Sequence, residues 1–369
     1  MNYSLIFFIY FVLLIISNLE HRLQYNKRAI LYFIFAVLLS LIFSSREILT
    51  TRDTSEYVEI FAKSDISDGL FSRVERFEGG YCFLNRIVKC LSLDYNALFF
   101  FISMFSFSAF YYVIKHYKQD TKSFLPLSFL ALYLPYFGLL YNSIIMRACM
   151  AIALIYISSV LMLKQKRLIS ISFFILSFSV HNSAILALPI LLVIAFDLRF
   201  KVSTIRKIIL ILLVCYLVGI SSFTTSYINV VLVKLSKIFP DLQFVLWSSK
   251  TIENSQFSGG VSMFRIFLLL LIYVSTLLRP RSSKADIYTT SCLIGAVIMV
   301  LFGGIEIMGR VSELFLISIC FIMTSNFSDN TNVVRIYTYN SVLKIPKFLL
   351  LGLSSMFFLY VFAVNVAFV

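Results

Sequence analysis

Twelve stretches of nearly unbroken apolar sequence constrain this chain more than any other feature: 3–17, 29–44, 95–114, 123–140, 143–163, 168–180, 183–196, 207–224, 261–278, 285–303, 308–324 and 347–365. A bilayer core of about 30 Å needs about 20 helical residues to cross it. Inside that core every backbone N–H and C=O must be paired within the chain, and the runs lack the in/out alternation of barrel strands. They therefore predict an all-α polytopic membrane protein with about twelve transmembrane helices, a single transmembrane domain over 1–369. Composition agrees, since 60% of the residues are apolar and 14% charged, whereas a soluble domain is nearer ~50% and ~25%. A water-soluble enzyme is excluded. The first run has no basic segment before it and no small-residue cleavage site, so a retained helix is expected there in place of a removed signal peptide.

The charge gives an orientation. Lys and Arg number 32 against 18 Asp and Glu, a formal net charge of +14, which in a soluble protein would point to nucleic acid. Here the basic residues sit in short clusters between apolar runs, and no nucleic-acid partner is expected. Loops 18–28, 115–122, 164–167, 197–207, 279–284 and 325–347 hold 19 of them. With Glu20, Asp120, Asp197, Asp286 and Asp329 as the acids of that side, these loops account for the whole +14, and the rest of the chain balances at 13 basic and 13 acidic residues. Cytoplasmic loops carry the excess of Lys and Arg. The clusters are accordingly assigned to the cytoplasm, and both termini fall outside.

Two outer loops are long. Residues 45–94 form a mixed-charge segment with an amphipathic helix expected near 80–92, and residues 225–260 carry Trp247, Lys250, Glu253 and Gly259-Gly260. The glycine pairs 79–80, 259–260 and 303–304 read as helix punctuation. Cys149, Cys215, Cys292 and Cys320 fall within apolar runs and read as small core residues. Cys82 and Cys90, eight residues apart on one helix, would stand about 12 Å apart, beyond disulfide reach. No Cys/His spacing suggests a metal and no glycine pattern cradles a phosphate, so no cofactor is expected.

Ionisable groups at membrane depth are costly and mark candidate sites. Arg147, Arg265 and Arg310 each lie a few residues inside a run that enters from the outside. The N-terminal N–H groups and positive dipole end of each helix would flank the guanidinium, a setting suited to an anion such as a diphosphate. The alternative is local: an arginine that reaches to the interface or, for Arg310, one paired with Glu306 or Glu313 on its own helix. His181 is the sharpest single residue. Both flanking basic clusters should be cytoplasmic, yet only 29 residues separate Arg167 from Asp197, so the chain must go out and return in two arms of about 13 residues, each rising about 20 Å. The His181-Asn182-Ser183 tip is expected below the outer surface, in a polar recess; a turn whose His merely caps backbone groups is the alternative. In the first outer loop Arg52, Asp53, Tyr57, Phe61, Glu78, Tyr81 and Asn85 combine carboxylates and aromatics. Such groups suit sugar rings, and a placed carboxylate can accept a hydroxyl proton; taken alone, a solvated charged loop accounts for them better.

The order of these motifs resembles the EpsG/Wzy family of polysaccharide polymerases. An Asp-x-x-x-Tyr-x-x-x-Phe element is matched by Asp53, Tyr57 and Phe61, and a Glu-x-Gly-Tyr by Glu78, Gly80 and Tyr81. An Arg-Gln opening a small-residue helix is matched by Arg147 before Ala148, Ala151 and Ala153, a His-x-Ser-Ala by His181, Ser183 and Ala184, and a late Arg by Arg310. The residue after Arg147 is Ala148 where the family has Gln, so no role passes to that position. The resemblance spans roughly 46–325. It implies a helical bundle of the GT-C kind in a bacterial inner membrane, with its active site facing the periplasm or exterior. It implies transfer of a growing O-antigen or related glycan from undecaprenyl diphosphate to the non-reducing end of the next lipid-linked repeat unit. Arg147, Arg310 and Arg265 would hold the diphosphate, and His181, or else Asp53 or Glu78, would orient or deprotonate the acceptor hydroxyl. Arg52, Tyr57 and Tyr81 would contact sugar. The expected partners are the undecaprenyl-diphosphate-linked oligosaccharide, membrane lipid, a chain-length regulator and a flippase. A flippase or other transporter of the same lipid-linked oligosaccharide, and an O-antigen ligase, are the competing readings; an acyltransferase lacks its His-x4-Asp.

Overall fold

The computed structural model describes residues 3–46, 52–65, 67, 69, 71–117, 124–238, 262–280, 282–327, 333–337 and 342–365. At their described residues all twelve apolar runs are largely helical. In chain order the helices begin with α1 (Tyr3–Leu19), α2 (Tyr25–Ser44), α3 (Arg52–Lys63), α4 (Gly79–Cys90), α5 (Tyr95–Tyr117) and α6 (Pro126–Tyr133). A π-helical stretch (Leu134–Gly138) leads into α7 (Leu139–Ser143), followed by α8 (Met146–Leu163), α9 (Arg167–Val180), a 3-10 turn (Asn182–Ala187) and α10 (Leu188–Ala195). Then come α11 (Val202–Leu217), α12 (Ile220–Ile238), α13 (Met263–Leu277), α14 (Ile287–Phe302), α15 (Glu306–Leu316) and α16 (Ser318–Asn326). Strands β1 (Val333–Tyr337) and β2 (Val342–Pro346) precede α17 (Lys347–Asn365). Among the described residues five helical segments are long and apolar enough to cross a membrane, or six if the bent pair α11–α12 counts as one. The protein is an all-α membrane protein with a little sheet.

Contacts divide the chain into two compact units. The first comprises 1–196, 320–335 and 343–369, and the second 197–319 and 336–342. In the first unit, α8 is a central helix: 78% of its membrane-length window is buried inside the protein, against 33% for α1. Its pairing with α9 rests on small polar residues. Ser158 Oγ donates to Ser170 O (2.7 Å) and Ser170 Oγ to Ser158 O (2.8 Å), the kind of close interhelical contact that replaces a hydrophobic driving force in lipid. Beneath, Phe110, Phe129, Tyr133, Tyr156 and Phe321 form one aromatic cluster. Glu20 is no solvated loop acid. Fully buried, its carboxylate accepts the Leu127 and Ser128 N–H groups at 2.7 and 2.8 Å, which the start of α6 leaves open.

The second unit departs from the expected crossing at 207–224. The helix breaks there, with α11 and the start of α12 meeting at 72°. Gly219 makes the break at φ +84°, a left-handed conformation that costs glycine nothing. Residues 225–238, expected as the beginning of an outer loop, continue α12. The rest of that segment, with Trp247, Lys250, Glu253 and Gly259-Gly260, lies outside the described residues. Arg206, buried, donates through Nη2 to Thr276 O and Arg279 O (both 2.8 Å) and so satisfies the C-terminal end of α13. Asp286 caps α14 through the Thr289 N–H (2.8 Å) and pairs with Arg279. The segment 325–347, expected as a plain loop, contains the two-stranded sheet of β1 and β2.

Candidate active site

Glu78 is the centre of the site. It occupies the N-cap position of α4 with extended backbone (φ −69°, ψ 145°), and its side chain is almost wholly buried. One carboxylate oxygen, Oε2, accepts from Arg147 Nη1 at 2.6 Å. The other, Oε1, accepts the Asn182 N–H at 3.0 Å and lies 3.4 Å from His181 Nδ1, a charge-pair distance without a hydrogen bond, since Nδ1 finds no hydrogen-bond partner among the described residues. Three elements separated by 69 and 104 residues in sequence thus meet on one carboxylate.

Local sequence explains the convergence. The two glycines after Glu78 allow α4 to press against its neighbours: a Cβ on Gly80 would stand 2.5 Å from Ser179 Oγ and 2.6 Å from Ser179 O, and one on Gly79 only 2.3 Å from Phe71 O. The pair is therefore a close-contact device, beyond the helix punctuation expected from sequence. On the other side α8 starts afresh at Met146 after a two-residue break, so Arg147 falls in its first turn. A cation there opposes the helix dipole, and the Glu78 carboxylate offsets it. His181 ends α9 in extended conformation (φ −154°, ψ 116°) and caps the 3-10 turn that begins at Asn182. The two arms around it are the 14-residue α9 and the 3-10 turn with α10.

The electrostatics follow. Burial alone would push the Glu78 carboxyl up, but the adjacent His181 imidazole, the Arg147 charge and the Asn182 N–H outweigh it and hold the group at about 2. Glu78 is thus a fixed anion and a poor proton acceptor. The Arg147 guanidinium lies 4.0 Å above the Phe77 ring and 5.9 Å from the centre of the Tyr57 ring. Phe77, Tyr57 and Tyr81 pack together with centroids 5.8–6.2 Å apart in a cluster with Phe61, Phe99 and Met146.

The expected site residues are distributed unevenly. Arg147, Glu78 and His181 meet directly. Asp53 is partly buried on α3, near the Arg46 charge and the Tyr57 side chain. Tyr57 and Tyr81, expected to offer ring faces to sugar, are instead 2% and 0% exposed, because their rings form the floor beneath Arg147. Arg52 opens α3, and its side chain lies outside the described residues. Arg265 and Arg310 belong to the second unit; the Arg265 guanidinium lies against Gly303 and Gly309, and Arg310 is exposed. Among the described aromatics of residues 52–94, Phe71 stays open, 63% exposed and stacked on Phe83 with centroids 4.5 Å apart and planes at 11°.

Sequence reasoning missed Arg46. It lies just past α2, only 3% exposed, and reaches the carbonyls of Asn142 and Ser143 and the Met146 sulfur. Its one sequence signal is a charge directly abutting an apolar run. Among the described residues no group of three or more His, Cys, Asp or Glu is arranged to hold a metal ion. What the constellation offers is a guanidinium for an anion and an imidazole beside a carboxylate for a proton.

A family model named EpsG family matches residues 29–368, nearly the whole chain, and that family comprises Wzy-type polysaccharide polymerases. No curated protein and no solved structure matches the chain.

Proposed function

The chain belongs to the EpsG family, and from that premise we propose that it transfers a growing glycan from undecaprenyl diphosphate to the non-reducing end of the next lipid-linked repeat unit. The observation that carries this reading is the convergence of Glu78, Arg147 and His181 on one buried point. The acceptor hydroxyl attacks the anomeric carbon of the donor, the new glycosidic C–O bond forms, and the bond to the diphosphate breaks with its electron pair leaving on the diphosphate. Arg147 binds that diphosphate and stabilises the charge developing on it. His181 takes the hydroxyl proton at Nε2, the nitrogen facing away from Glu78, and returns it to solvent. Glu78, too weak a base for that task, orients the imidazole and positions the guanidinium. The exposed face of Phe71 on the outer loop meets sugar.

The charge pattern supports a bacterial inner-membrane protein of twelve crossings with both termini outside. Because α8 and α9 run in opposite directions from the basic turn at Lys164–Arg167, Arg147 and His181 lie at the end of the pair away from it. That end faces the periplasm or exterior. A chain-length regulator and a flippase are the partners such a reaction calls for.

The test is a gel of surface polysaccharide from a strain lacking the gene, complemented with wild type or Arg147→Ala at equal protein level. A ladder restored by wild type alone is expected. A normal ladder from Arg147→Ala removes Arg147 from the site, and repeats trapped on the cytoplasmic face of the null strain turn the reading into a transporter.

A further inference from the structure

The break between α7 and α8 puts Arg147 where it stands, and Arg46 fastens that break. In a continuous helix the carbonyls of Asn142 and Ser143 would accept from the N–H groups of Met146 and Arg147. Here the chain turns at Ile144 and Ile145 (φ/ψ −114°/−58° and −108°/60°). The N–H groups of Ile144 and Ile145 both reach back to Leu140 O, at 3.0 and 3.1 Å. The last carbonyls of α7 therefore need outside donors.

Arg46 supplies them. Its Nη1 donates to Asn142 O (3.2 Å) and to Ser143 O, and its Nη2 contacts the sulfur of Met146, the residue before Arg147. The Phe99 ring lies 4.2 Å from the guanidinium. One rigid planar group thus holds the end of α7 and the first residue of α8 together. A cation also suits a helix C-terminus. Lysine, with a point charge on a flexible stem, cannot span the same three acceptors. Burying a cation for packing alone would be costly, so the position asks for a reason beyond stability.

We propose that Arg46 is a positioning residue of the polymerisation, setting the place of the Arg147 guanidinium while touching neither glycan nor diphosphate. The proposal rests on the function argued above. Its test uses membranes containing the full chain as wild type, Arg46→Lys, Arg147→Lys and the double variant, supplied with lipid-linked repeat units, with rates normalised to folded protein. Arg46→Lys should lower turnover at least tenfold, as a misplacement of about 1 Å does, while the half-saturating repeat-unit concentration changes less than about twofold. Because Arg46 acts through Arg147, the double variant should fall no more than about twofold below Arg147→Lys alone.

Losses that multiply, or wild-type turnover per folded molecule in Arg46→Lys, overturn the positioning role and leave the polymerase reading intact. A normal ladder in the null strain overturns both. If Arg46→Lys does not accumulate, Met146→Leu removes the sulfur contact at nearly constant volume. A turnover drop of about two- to threefold is then expected, and wild-type turnover in that variant overturns the proposal.

Discussion

At the scale of single residues, the site depends on a charge that cannot change its state under ordinary conditions. Glu78 sits far below its usual carboxylate range, so the stability it contributes is fully present above about pH 4.5 and is lost as pH falls toward 2. Glu78→Gln should cost about 3 kcal/mol, because it leaves a largely buried Arg147 without its partner. Thermal unfolding in detergent should show the gap between wild type and variant narrowing from pH 6 to pH 3; a constant gap would remove the ion pair from the stability of the site. His181→Ala should abolish most polymer, whereas His21→Ala and His116→Ala, on other helices, should leave the ladder intact. Equal ladders from all three variants would make His181 a structural turn. Arg147 and His181 drew attention in the sequence because ionisable groups stand out against apolar runs, whereas Glu78, in a mixed-charge segment, was marked only by its neighbouring aromatics and by the family resemblance. Arg46 was not legible, since its meaning arises from a break 96 residues away that no local pattern announces.

At the scale of elements, small residues decide where helices meet. Gly80→Ala would drive a methyl group into the backbone of Ser179, displacing α4 and with it Glu78. A loss of about 1–3 kcal/mol together with most of the activity is expected. Gly352→Ala, on α17 with nothing within 4 Å of the added carbon, should be neutral or stabilise by up to about 1 kcal/mol. Comparable losses in both variants, read by polymer yield and unfolding temperature, would dismiss the contact argument. Helix type was legible along all the apolar runs because length and hydropathy alone determine it. The bend at Gly219 was not, since one apolar stretch reads the same whether straight or broken. The strands at 333–337 and 342–346 were hidden in a segment whose length and charge suggested only a connection.

At the scale of the whole molecule, the distribution of charge argues a topology that can be measured. Reporters placed in the turn at 164–167 should read as cytoplasmic and reporters at 92–94 as external; the reverse pattern would invert the site as well as the orientation. Membrane character was plain from composition, whereas the division into two compact units was not, because both are built from the same kind of apolar helix. One more consequence lies in the pairing of Arg147 with Glu78. An arriving anion finds its receptor already occupied by a carboxylate and must compete with it, so the apparent affinity is lowered by the fraction of time the pair stays closed. Glu78→Gln should therefore bind inorganic diphosphate more tightly than wild type in calorimetry while making less polymer, and weaker binding would end the idea. On the transfer proposed above, the resting pair would work as a latch that ignores the stray anions of the medium and opens to a diphosphate held in place by its own lipid.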